Sequence, residues 1–321
     1  RANNGLSVYN GIDYANGSNS TFEKLVVTNF ESYGILVNQV ENTNINGNRF
    51  SNNDVGIYLS AVTVATRHVI VSDNIATGNN TGIWVDGFNF VMENITVTNN
   101  LVEGNSGRGI AFRGARYGIV SDNQIINNGS EGINGDAARY TIFSNNLIKD
   151  NASYGFNFDD SGNGFNTVSN NIFENNGGAG ATPSLRIRSV DNVIIDNSFI
   201  DSSGTGPGIE IVFSADRTTV SGNTFNITGA SDIADSGTAT VYDQNNRRTL
   251  ATASEVGYNL LDITGSTTAT SAAITQLGTG DIFTLDNASG RVLTVDNAGD
   301  VTLSGTLNLT DRLNFTSSAT S

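Results

Sequence analysis

Residues 71–79 read VSDNIATGN, a phrase of alternating apolar and polar residues that returns along most of the chain. Its first six positions follow a fixed order: hydrophobic, Ser or Thr, a small polar residue or Gly, Asn, any residue, and a residue that is usually hydrophobic. The same order occurs in VTNNLV (97–102), VSDNQI (120–125), FSNNLI (143–148), VSNNIF (168–173) and VSGNTF (220–225). Repetition with a period of about 22 to 29 residues is typical of a solenoid, in which each repeat packs only on its neighbours.

Alignment of the repeats gives columns of identical residues. The first column contains Asn48, Asn74, Asn100, Asn123, Asn146, Asn171, Asn197 and Asn223. A second column, five residues later, contains Asn53, Asn79, Asn105, Asn128, Asn151 and Asn176. Between these phrases a Gly-Ile pair or a close variant recurs, beginning at Gly34, Gly56, Gly82, Gly109, Gly132, Gly155 and Gly208, with Ser184 in the remaining place. These columns predict that equivalent residues of successive coils lie directly above one another.

The repeat predicts an all-β, right-handed parallel β-helix of about eight or nine coils. Each coil contains short alternating segments such as Ile83-Trp84-Val85, which bury a face only when coils stack about 4.8 Å apart. Stacked Asn amides then form hydrogen-bonded ladders at the turns. A leucine-rich repeat is excluded by the missing Leu-x-x-Leu-x-Leu frame, and an α-solenoid by the lack of helix-length segments.

These columns resemble those of the right-handed parallel β-helix family over roughly residues 5–230. That family includes pectate lyases, polygalacturonases, mannuronan epimerase-like proteins, periplasmic copper-accessory proteins and phage tailspikes. The resemblance implies the fold, whereas the family's functions range from enzymes and adhesins to structural rods.

The chain divides into a β-helix (1–230), a Gly/Ser/Thr/Ala-rich joint (231–255) and a β-rich stalk (256–321). In the stalk, the segment FTLDNASGRVLTVDNAGDVTLSGTLNLTDRLNFT (283–316) predicts alternating strands with turns at 286–290 and 296–300. About 35 such residues cannot enclose a core alone, so the apolar face needs a partner. This segment resembles the shafts of trimeric phage tail fibres and bacterial surface fibres. It predicts a homo-oligomer, with a trimer preferred; the alternative is a small sandwich that packs on the end of the rod.

Composition excludes several function classes. The net charge is −15, and the only lysines are Lys24 and Lys149, so no basic stripe is present for nucleic acid. The absence of cysteine excludes disulfides and zinc–thiolate sites. No apolar run reaches the ~18 residues of a membrane span. The sequence begins at Arg1 without a signal-peptide pattern, which we interpret as a processed product or a fragment.

Alternation along each coil predicts one exposed face with unusual chemistry. Counted from the Gly, positions +1 and +3 point inward and positions +2 and +4 point outward. The candidate glycan-binding residues on this face are Tyr58, Trp84, Asp86, Arg113, Arg186 and Arg188. Aromatic rings can stack on sugars, and guanidinium groups can bind uronate carboxylates. The alternative is a solvated face whose mixed charges keep the rod soluble.

The same face supplies candidate catalytic carboxylates. Asp136 and Asp159 are expected one coil apart, about 5 Å between their backbones, which is near the separation used by retaining glycosidases. Asp160 follows directly. A metal site built from these three carboxylates was considered, but no calcium-loop pattern accompanies them, and we expect neither a metal nor a cofactor.

Comparison with polygalacturonases weakens the enzymatic interpretation. Asp159-Asp160 and Arg186-Ile187-Arg188 resemble two motifs of that group, but no His lies between them. The only histidine, His68, is expected at the surface or in a turn just before a strand, in one column with Asn94, Tyr117, Tyr140, Phe165, Asp191 and Arg217.

The sequence therefore predicts an extracellular, cell-surface or virion-surface fibre or adhesin with a structural, adhesive or glycan-receptor role. The alternative is a tailspike-like or secreted polysaccharide depolymerase. The expected partners are further copies of the chain and cell-surface polysaccharide, with neither nucleic acid nor membrane insertion.

Overall fold

A computed structural model describes residues 9–87, 91–159, 164–178, 180, 182–201, 206–227, 231–242, 247–248, 283–287, 290–295 and 301–303. It divides into two compact units, residues 1–253 and 254–321. The first unit is a right-handed parallel β-solenoid, which confirms the predicted fold class. No helix long and apolar enough to span a membrane occurs in the described part of the chain.

Three parallel sheets of ten strands each form the solenoid, and strands are numbered here in chain order. Sheet A consists of β1 (Ile12–Ala15), β4 (Tyr33–Asn38), β7 (Val55–Ser60), β10 (Thr81–Asp86), β13 (Ile110–Arg113), β16 (Ile133–Asn134), β19 (Phe156–Phe158), β22 (Leu185–Ile187), β25 (Ile209–Ile211) and β28 (Ile233–Asp235). Sheet B consists of β2 (Ser18–Glu23), β5 (Glu41–Asn46), β8 (Thr66–Ser72), β11 (Met92–Thr98), β14 (Ile119–Ser121), β17 (Ile142–Ser144), β20 (Thr167–Ser169), β23 (Val193–Ile195), β26 (Thr219–Ser221) and β29 (Val241–Tyr242). Sheet C consists of β3 (Val26–Thr28), β6 (Arg49–Ser51), β9 (Ile75–Thr77), β12 (Leu101–Glu103), β15 (Gln124–Ile126), β18 (Leu147–Lys149), β21 (Ile172–Glu174), β24 (Ser198–Asp201), β27 (Thr224–Ile227) and β30 (Arg247–Arg248). The last coil, β28 to β30, lies in the segment that we interpreted as a joint.

The core lies inside the solenoid and follows the predicted alternation. In sheet A the residues at positions +1 and +3, such as Ile83 and Val85, are fully buried. Sheet C contributes a buried ring stack of Phe173, Phe199 and Phe225, with centroids 4.8 and 5.0 Å apart. Because neighbouring strands pair residue for residue, like side chains fill like layers of the core.

The recurring Gly of the Gly-Ile phrase is required by close approach between coils. A Cβ on Gly109 would lie 2.6 Å from the carbonyl oxygen of Gly132, and one on Gly132 would lie 2.7 Å from that of Gly155. These distances are shorter than any ordinary carbon–oxygen contact. Gly allows the backbones to stack this closely at the start of sheet A, and Ser184 takes its place in one coil.

Both Asn columns form the predicted ladders. In the first ladder Nδ2 of each Asn donates to Oδ1 of the next, over 2.9 to 3.1 Å from Asn48 to Asn223. The second ladder runs in the same way from Asn53 to Asn176. All the ladder amides are at most 5% exposed. The residue before each ladder Asn from the second coil onwards is left-handed, as with Asp73 at φ 56° and Asn99 at φ 56°. An Asp, Asn or Gly at that position tolerates this conformation at low cost.

Coil length varies only around sheet A. A left-handed residue near the start of sheet B lies six positions before the ladder Asn, as in the pairs His68 and Asn74 or Tyr140 and Asn146. The two ladders are five positions apart in every coil that has both. By contrast, the separation between the sheet A Gly and the left-handed residue differs from coil to coil. The number of residues from the left-handed position of sheet B to the ladder positions is therefore constant, whereas the connections that border sheet A vary in length.

The second unit contains a three-stranded antiparallel sheet, with β31 (Phe283–Asn287), β32 (Gly290–Val295) and β33 (Val301–Leu303). Asn287 pairs with Gly290, in agreement with a chain reversal at 286–290, whereas the turn predicted at 296–300 lies outside the described residues. The role of this segment as an oligomerisation stalk remains a prediction.

We expect Asn146→Ala to destabilise the solenoid strongly. The substitution removes the two hydrogen bonds that Asn146 Nδ2 donates, to Val120 O and to Asn171 Oδ1. It also removes Asn146 Oδ1, which accepts from both the backbone N–H and the side-chain amide of Asn123. Each buried polar group left unpaired costs about 1–3 kcal/mol. Urea denaturation followed by circular dichroism measures the loss.

Asn44→Ala is the matched control because Asn44 lies on the exposed face of sheet B. Equal midpoints for the two variants would contradict a stabilising role of the ladder.

Candidate functional site

The outer face of sheet A begins with a run of stacked aromatic rings. Tyr33 stacks on Tyr58 with centroids 4.6 Å apart, and Tyr58 packs against Trp84 at 5.2 Å. The guanidinium carbon of Arg113 lies over the Trp84 ring, 5.8 Å from its centroid. Strands β4, β7, β10 and β13 place these side chains on successive coils. The result is a partly exposed row of aromatic rings along the solenoid axis.

A carboxylate holds Tyr58 in place. The Tyr58 hydroxyl donates to Asp86 Oδ2 at 3.0 Å, and Asp86 follows Trp84 by two positions on the same strand. Burial, followed by the negative charge and the hydrogen bond of Asp86, raises the pKa of Tyr58 to about 12. The phenol therefore stays neutral and keeps its ring oriented across the physiological pH range.

The middle of the face is a buried floor. Ala111, Asn134 and Asn157 occupy position +2 on β13, β16 and β19 and are only 1, 3 and 3% exposed. The sequence predicted that +2 side chains point outward. These three residues do lie on the outer face, but the residues around them bury their side chains. Oδ1 of Asn134 and Oδ1 of Asn157 have no hydrogen-bond partner among the described residues, and neither has Nε1 of Trp84. Two acceptors and one donor are thus left unsatisfied in one column of sheet A.

The far end of the face is a network of ion pairs. Asp159 accepts from Arg188 at 2.8 Å and lies 3.9 Å from Arg186. Arg186 also lies 3.1 Å from Glu210, and its Nη1 donates to the Tyr154 hydroxyl at 3.3 Å. Its guanidinium stands 5.5 Å from the centre of the Tyr154 ring. Two guanidinium groups and two carboxylates therefore alternate over three coils beside one phenol.

The candidate catalytic carboxylates are paired with arginine in this structure. Asp136 lies 3.2 Å from Arg113, and Asp159 has the contacts with Arg186 and Arg188 described above. They occupy the same position on neighbouring coils, as the repeat predicts, but each faces a cation rather than the other carboxylate. Asp160 lies outside the described residues. The assignment of any of them to catalysis remains a prediction.

His68 is not part of this face. It lies within β8 of sheet B, rather than just before a strand as predicted, and it is exposed. Its Nε2 is 3.3 Å from Asn94 Nδ2 and its Nδ1 is 3.6 Å from a carboxylate oxygen of Glu41. Its location on another sheet separates the only imidazole from Asp136 and Asp159.

Sequence reasoning missed Tyr33 and Tyr154, which belong to both ends of this face. Each immediately precedes the recurring Gly, at Gly34 and Gly155. The alternation used on the sequence began at the Gly and did not include the residue before it. An aromatic residue at that position in two repeats was the signal that could have revealed them.

The family model described as "Periplasmic copper-binding protein (NosD)" matches residues 2–184 and, in an overlapping second match, residues 60–232. These matches span more than half of the chain. The chain belongs to the NosD family. The description of the family names a periplasmic protein, and this agrees with the predicted location outside the cytoplasm. No curated protein sequence matches the chain significantly.

Solved structures with the same fold include enzymes, two of which are named for mannuronan and alginate. The A-module of mannuronan C-5 epimerase AlgE6 from Azotobacter vinelandii is 16% identical, with a TM-score of 0.61, over 73% of this chain and 65% of that one. DFA-IIIase from Arthrobacter chlorophenolicus A6 is 15% identical, with a TM-score of 0.54, over 72% and 65%. Alginate lyase from Paenibacillus sp. str. FPU-7 is 16% identical, with a TM-score of 0.50, over 69% and 79%. At these identities the similarity shows the fold alone, and the chain spans less than two thirds of the epimerase module.

The residues of this NosD-family chain do not fit copper. Protein copper sites use imidazole and sulfur ligands, and the whole sequence has one His, one Met and no Cys. Met92 is fully buried in the core. No group of three or more His, Cys, Asp or Glu side chains that could hold a metal is found in the described residues. The copper-binding description of the family therefore has no ligand set here.

We expect Asp86→Asn to lower the pKa of Tyr58 from about 12 toward the ordinary value of 10. The substitution removes the charge that disfavours the phenolate, while the burial of the ring remains. Because the folded-state pKa is raised, the stabilising effect of the neutral phenol is present below pH 10 and is lost as pH rises through about 12. Ultraviolet titration of tyrosinate, as the difference from Tyr58→Phe, measures both pKa values. An unchanged Tyr58 titration in Asp86→Asn would contradict the contact.

Proposed function

We propose that the outer face of sheet A binds an extended saccharide on a protein outside the cytoplasm, and that its role is adhesion or glycan recognition rather than cleavage. A fibre-like arrangement at a cell or virion surface is part of this proposal.

The observation that carries the proposal is the set of unsatisfied polar atoms beneath this face. Nε1 of Trp84 can donate, and Oδ1 of Asn134 and Oδ1 of Asn157 can accept, yet none has a partner among the described residues. Buried polar groups in proteins are rarely left unpaired, because each lost hydrogen bond is costly. Sugar hydroxyl groups both donate and accept, so a saccharide chain along the column can satisfy these atoms once the side chains that cover them move aside.

The two ends of the face suit the remaining chemistry of a sugar polymer. Tyr33, Tyr58 and Trp84 supply ring surfaces for the apolar faces of pyranose rings. Arg186 and Arg188 share Asp159, and a uronate carboxylate can take its place in a charge-assisted pair. Since strands recur about every 4.8 Å, successive coils can contact successive parts of one extended chain.

Binding without cleavage is preferred because the candidate acids are neutralised by cations. Acid/base cleavage of a glycosidic bond needs one carboxyl group that can be protonated and a second that is available to the substrate. Asp136 and Asp159 are instead held by Arg113, Arg186 and Arg188. The carbohydrate-active enzymes that share the fold support a sugar ligand for this chain without assigning their reactions to it.

The test uses Trp84, the only tryptophan of the chain, as an intrinsic reporter. Titration with alginate, and with a neutral β-glucan for comparison, is expected to shift Trp84 fluorescence because the ligand covers the ring. Asn134→Ala and Asn157→Ala should each weaken binding about five-fold, which corresponds to one hydrogen bond of ~1 kcal/mol.

Ile172→Thr, which shortens an exposed apolar side chain on sheet C, is the control and should leave the affinity unchanged. The proposal fails if no saccharide on a glycan array binds and neither polymer changes the fluorescence.

A second candidate function, polysaccharide cleavage, is favoured by one observation. Asp159, Arg186 and the Tyr154 hydroxyl meet at the far end of the same face, and such a cluster can bind a carboxylate and exchange a proton. Incubation with alginate should then release new reducing ends or unsaturated uronates, and Asp159→Asn should abolish the release. Binding without any product, in both the native chain and Asp159→Asn, would exclude cleavage of that polymer.

A further inference from the structure

The outer face of sheet B carries three stacked aromatic rings that are exposed to solvent. Tyr117, Tyr140 and Phe165 lie on successive coils and are 51, 47 and 51% exposed. The centroids of Tyr117 and Tyr140 are 5.4 Å apart, and those of Tyr140 and Phe165 are 5.0 Å apart, with planes within 17° of parallel. The sheet A face shares none of these residues.

These rings occupy a backbone position that disfavours them. Tyr117, Tyr140 and Phe165 have φ values of 56°, 51° and 59°, in the left-handed region. Bulky residues rarely adopt it, whereas Asn does so at low cost, as Asn42 and Asn94 do in the same column. The backbone at this position therefore needs only a residue that tolerates the left-handed conformation, and an aromatic ring is not required for it. Strained residues of this kind point to a function of their side chains.

Aliphatic side chains extend the exposed apolar surface. Ile119 and Ile142, two positions after the tyrosines, are 41 and 45% exposed, and Val193 continues this column two coils further on. We call the set Tyr117, Ile119, Tyr140, Ile142, Phe165 and Val193 the sheet B patch. A cluster of exposed apolar side chains on one sheet face favours an interaction site.

The two edges of this face carry opposite charge. On one edge Arg67 and Arg116 share the single carboxylate of Glu93, at 3.0 and 2.7 Å, which leaves a net positive charge over three coils. The other edge presents Asp73 and Asp122, which are exposed and left-handed. Neither aspartate has an ion-pair partner among the residues that the structure describes. The positive and negative edges lie on the same coils, on either side of the apolar column.

We propose that the sheet B patch is the interface through which two copies of this chain associate side by side, with parallel solenoid axes. A two-fold axis parallel to the solenoid axis places the positive edge of each copy opposite the negative edge of the other, at the same level. Arg67 then faces Asp73 of the other copy, and Arg116 faces its Asp122. A two-fold axis across the solenoid would instead oppose like edges. Charge complementarity therefore selects a second copy in the parallel arrangement.

This association goes beyond saccharide binding and is compatible with it. The patch lies on sheet B, so the outer face of sheet A is left uncovered in the pair. Two parallel copies present two such faces, which raises the avidity for a repetitive polymer without any new contact to it. Failure of one proposal leaves the other intact.

Sedimentation equilibrium of the full chain tests the interface. The mass is expected to rise above that of one chain with concentration, and Ile142→Thr or Tyr140→Asn should weaken the association about tenfold, as central interface residues do. Both replacements suit their backbone positions, because Thr is favoured in strands and Asn in the left-handed region. Ile172→Thr is the matched control, since Ile172 is similarly exposed at 43% but lies on sheet C.

Charge reversal tests the parallel arrangement. Asp122→Arg and Arg116→Asp should each weaken self-association, and an equimolar mixture of the two variants should restore it, because both cross-pairs then become attractive. Circular dichroism establishes that each variant is folded. A mass of one chain at every concentration overturns the proposal. So does an association that the sheet B variants leave unchanged, which would assign it to another surface, such as the C-terminal unit. Failure of the mixture to recover overturns the parallel arrangement.

Discussion

Each coil is fixed to the next by a side-chain amide that is buried with all of its hydrogen-bonding capacity used. Asn123 donates from Nδ2 to Val97 O and to Asn146 Oδ1, and its own Oδ1 accepts the backbone N–H and the amide of Asn100. No other side chain supplies a donor and an acceptor in this geometry: Asp lacks the donor and Leu lacks both. The amide fixes the height of each coil, and the left-handed residue before it turns the chain between sheets. Strand pairing, core layers and the close Gly contacts all depend on that fixed height.

The sequence predicted this architecture well because the constraint repeats. Eight Asn residues in one column report a requirement of the backbone, which acts on each coil alike, so the ladders and the inward positions such as Ile83 and Val85 could be assigned without coordinates. The outward face was harder to predict. The ion pairs of Asp159 and the burial of the outward-pointing Asn157 both depend on side chains of neighbouring coils. Those side chains follow no repeat, so the sequence does not predict them. The aromatic stack on sheet B lay within a column that was recognised, but its exposure and its left-handed backbone were visible only in the structure.

This chain belongs to the NosD family, but its residues do not suit the copper binding that the family's description names. A single exposed imidazole and a core methionine offer no soft ligand set, so the shared element is the solenoid itself rather than a metal centre. The carbohydrate-active proteins of the same fold lead to a similar conclusion, because their reactions depend on groups placed on the fold rather than on the fold. Here the face of sheet A combines aromatic rings, unsatisfied amides and arginine-paired carboxylates. That combination suits recognition of a polar polymer better than bond cleavage.

The constant residue spacing from the left-handed position of sheet B to the ladder Asn residues contrasts with the variable connections beside sheet A, and this contrast has an evolutionary consequence. From the left-handed residue of sheet B to the second ladder Asn the number of residues does not change, so an insertion there would shift a buried amide out of line with its neighbours. An insertion beside sheet A shifts nothing in the ladders, and loop closure makes extra residues cheap. Lineages of this protein can therefore reshape the walls of the sheet A face one loop at a time. The outer face of sheet A can therefore change in shape while the residue spacing of sheets B and C stays the same.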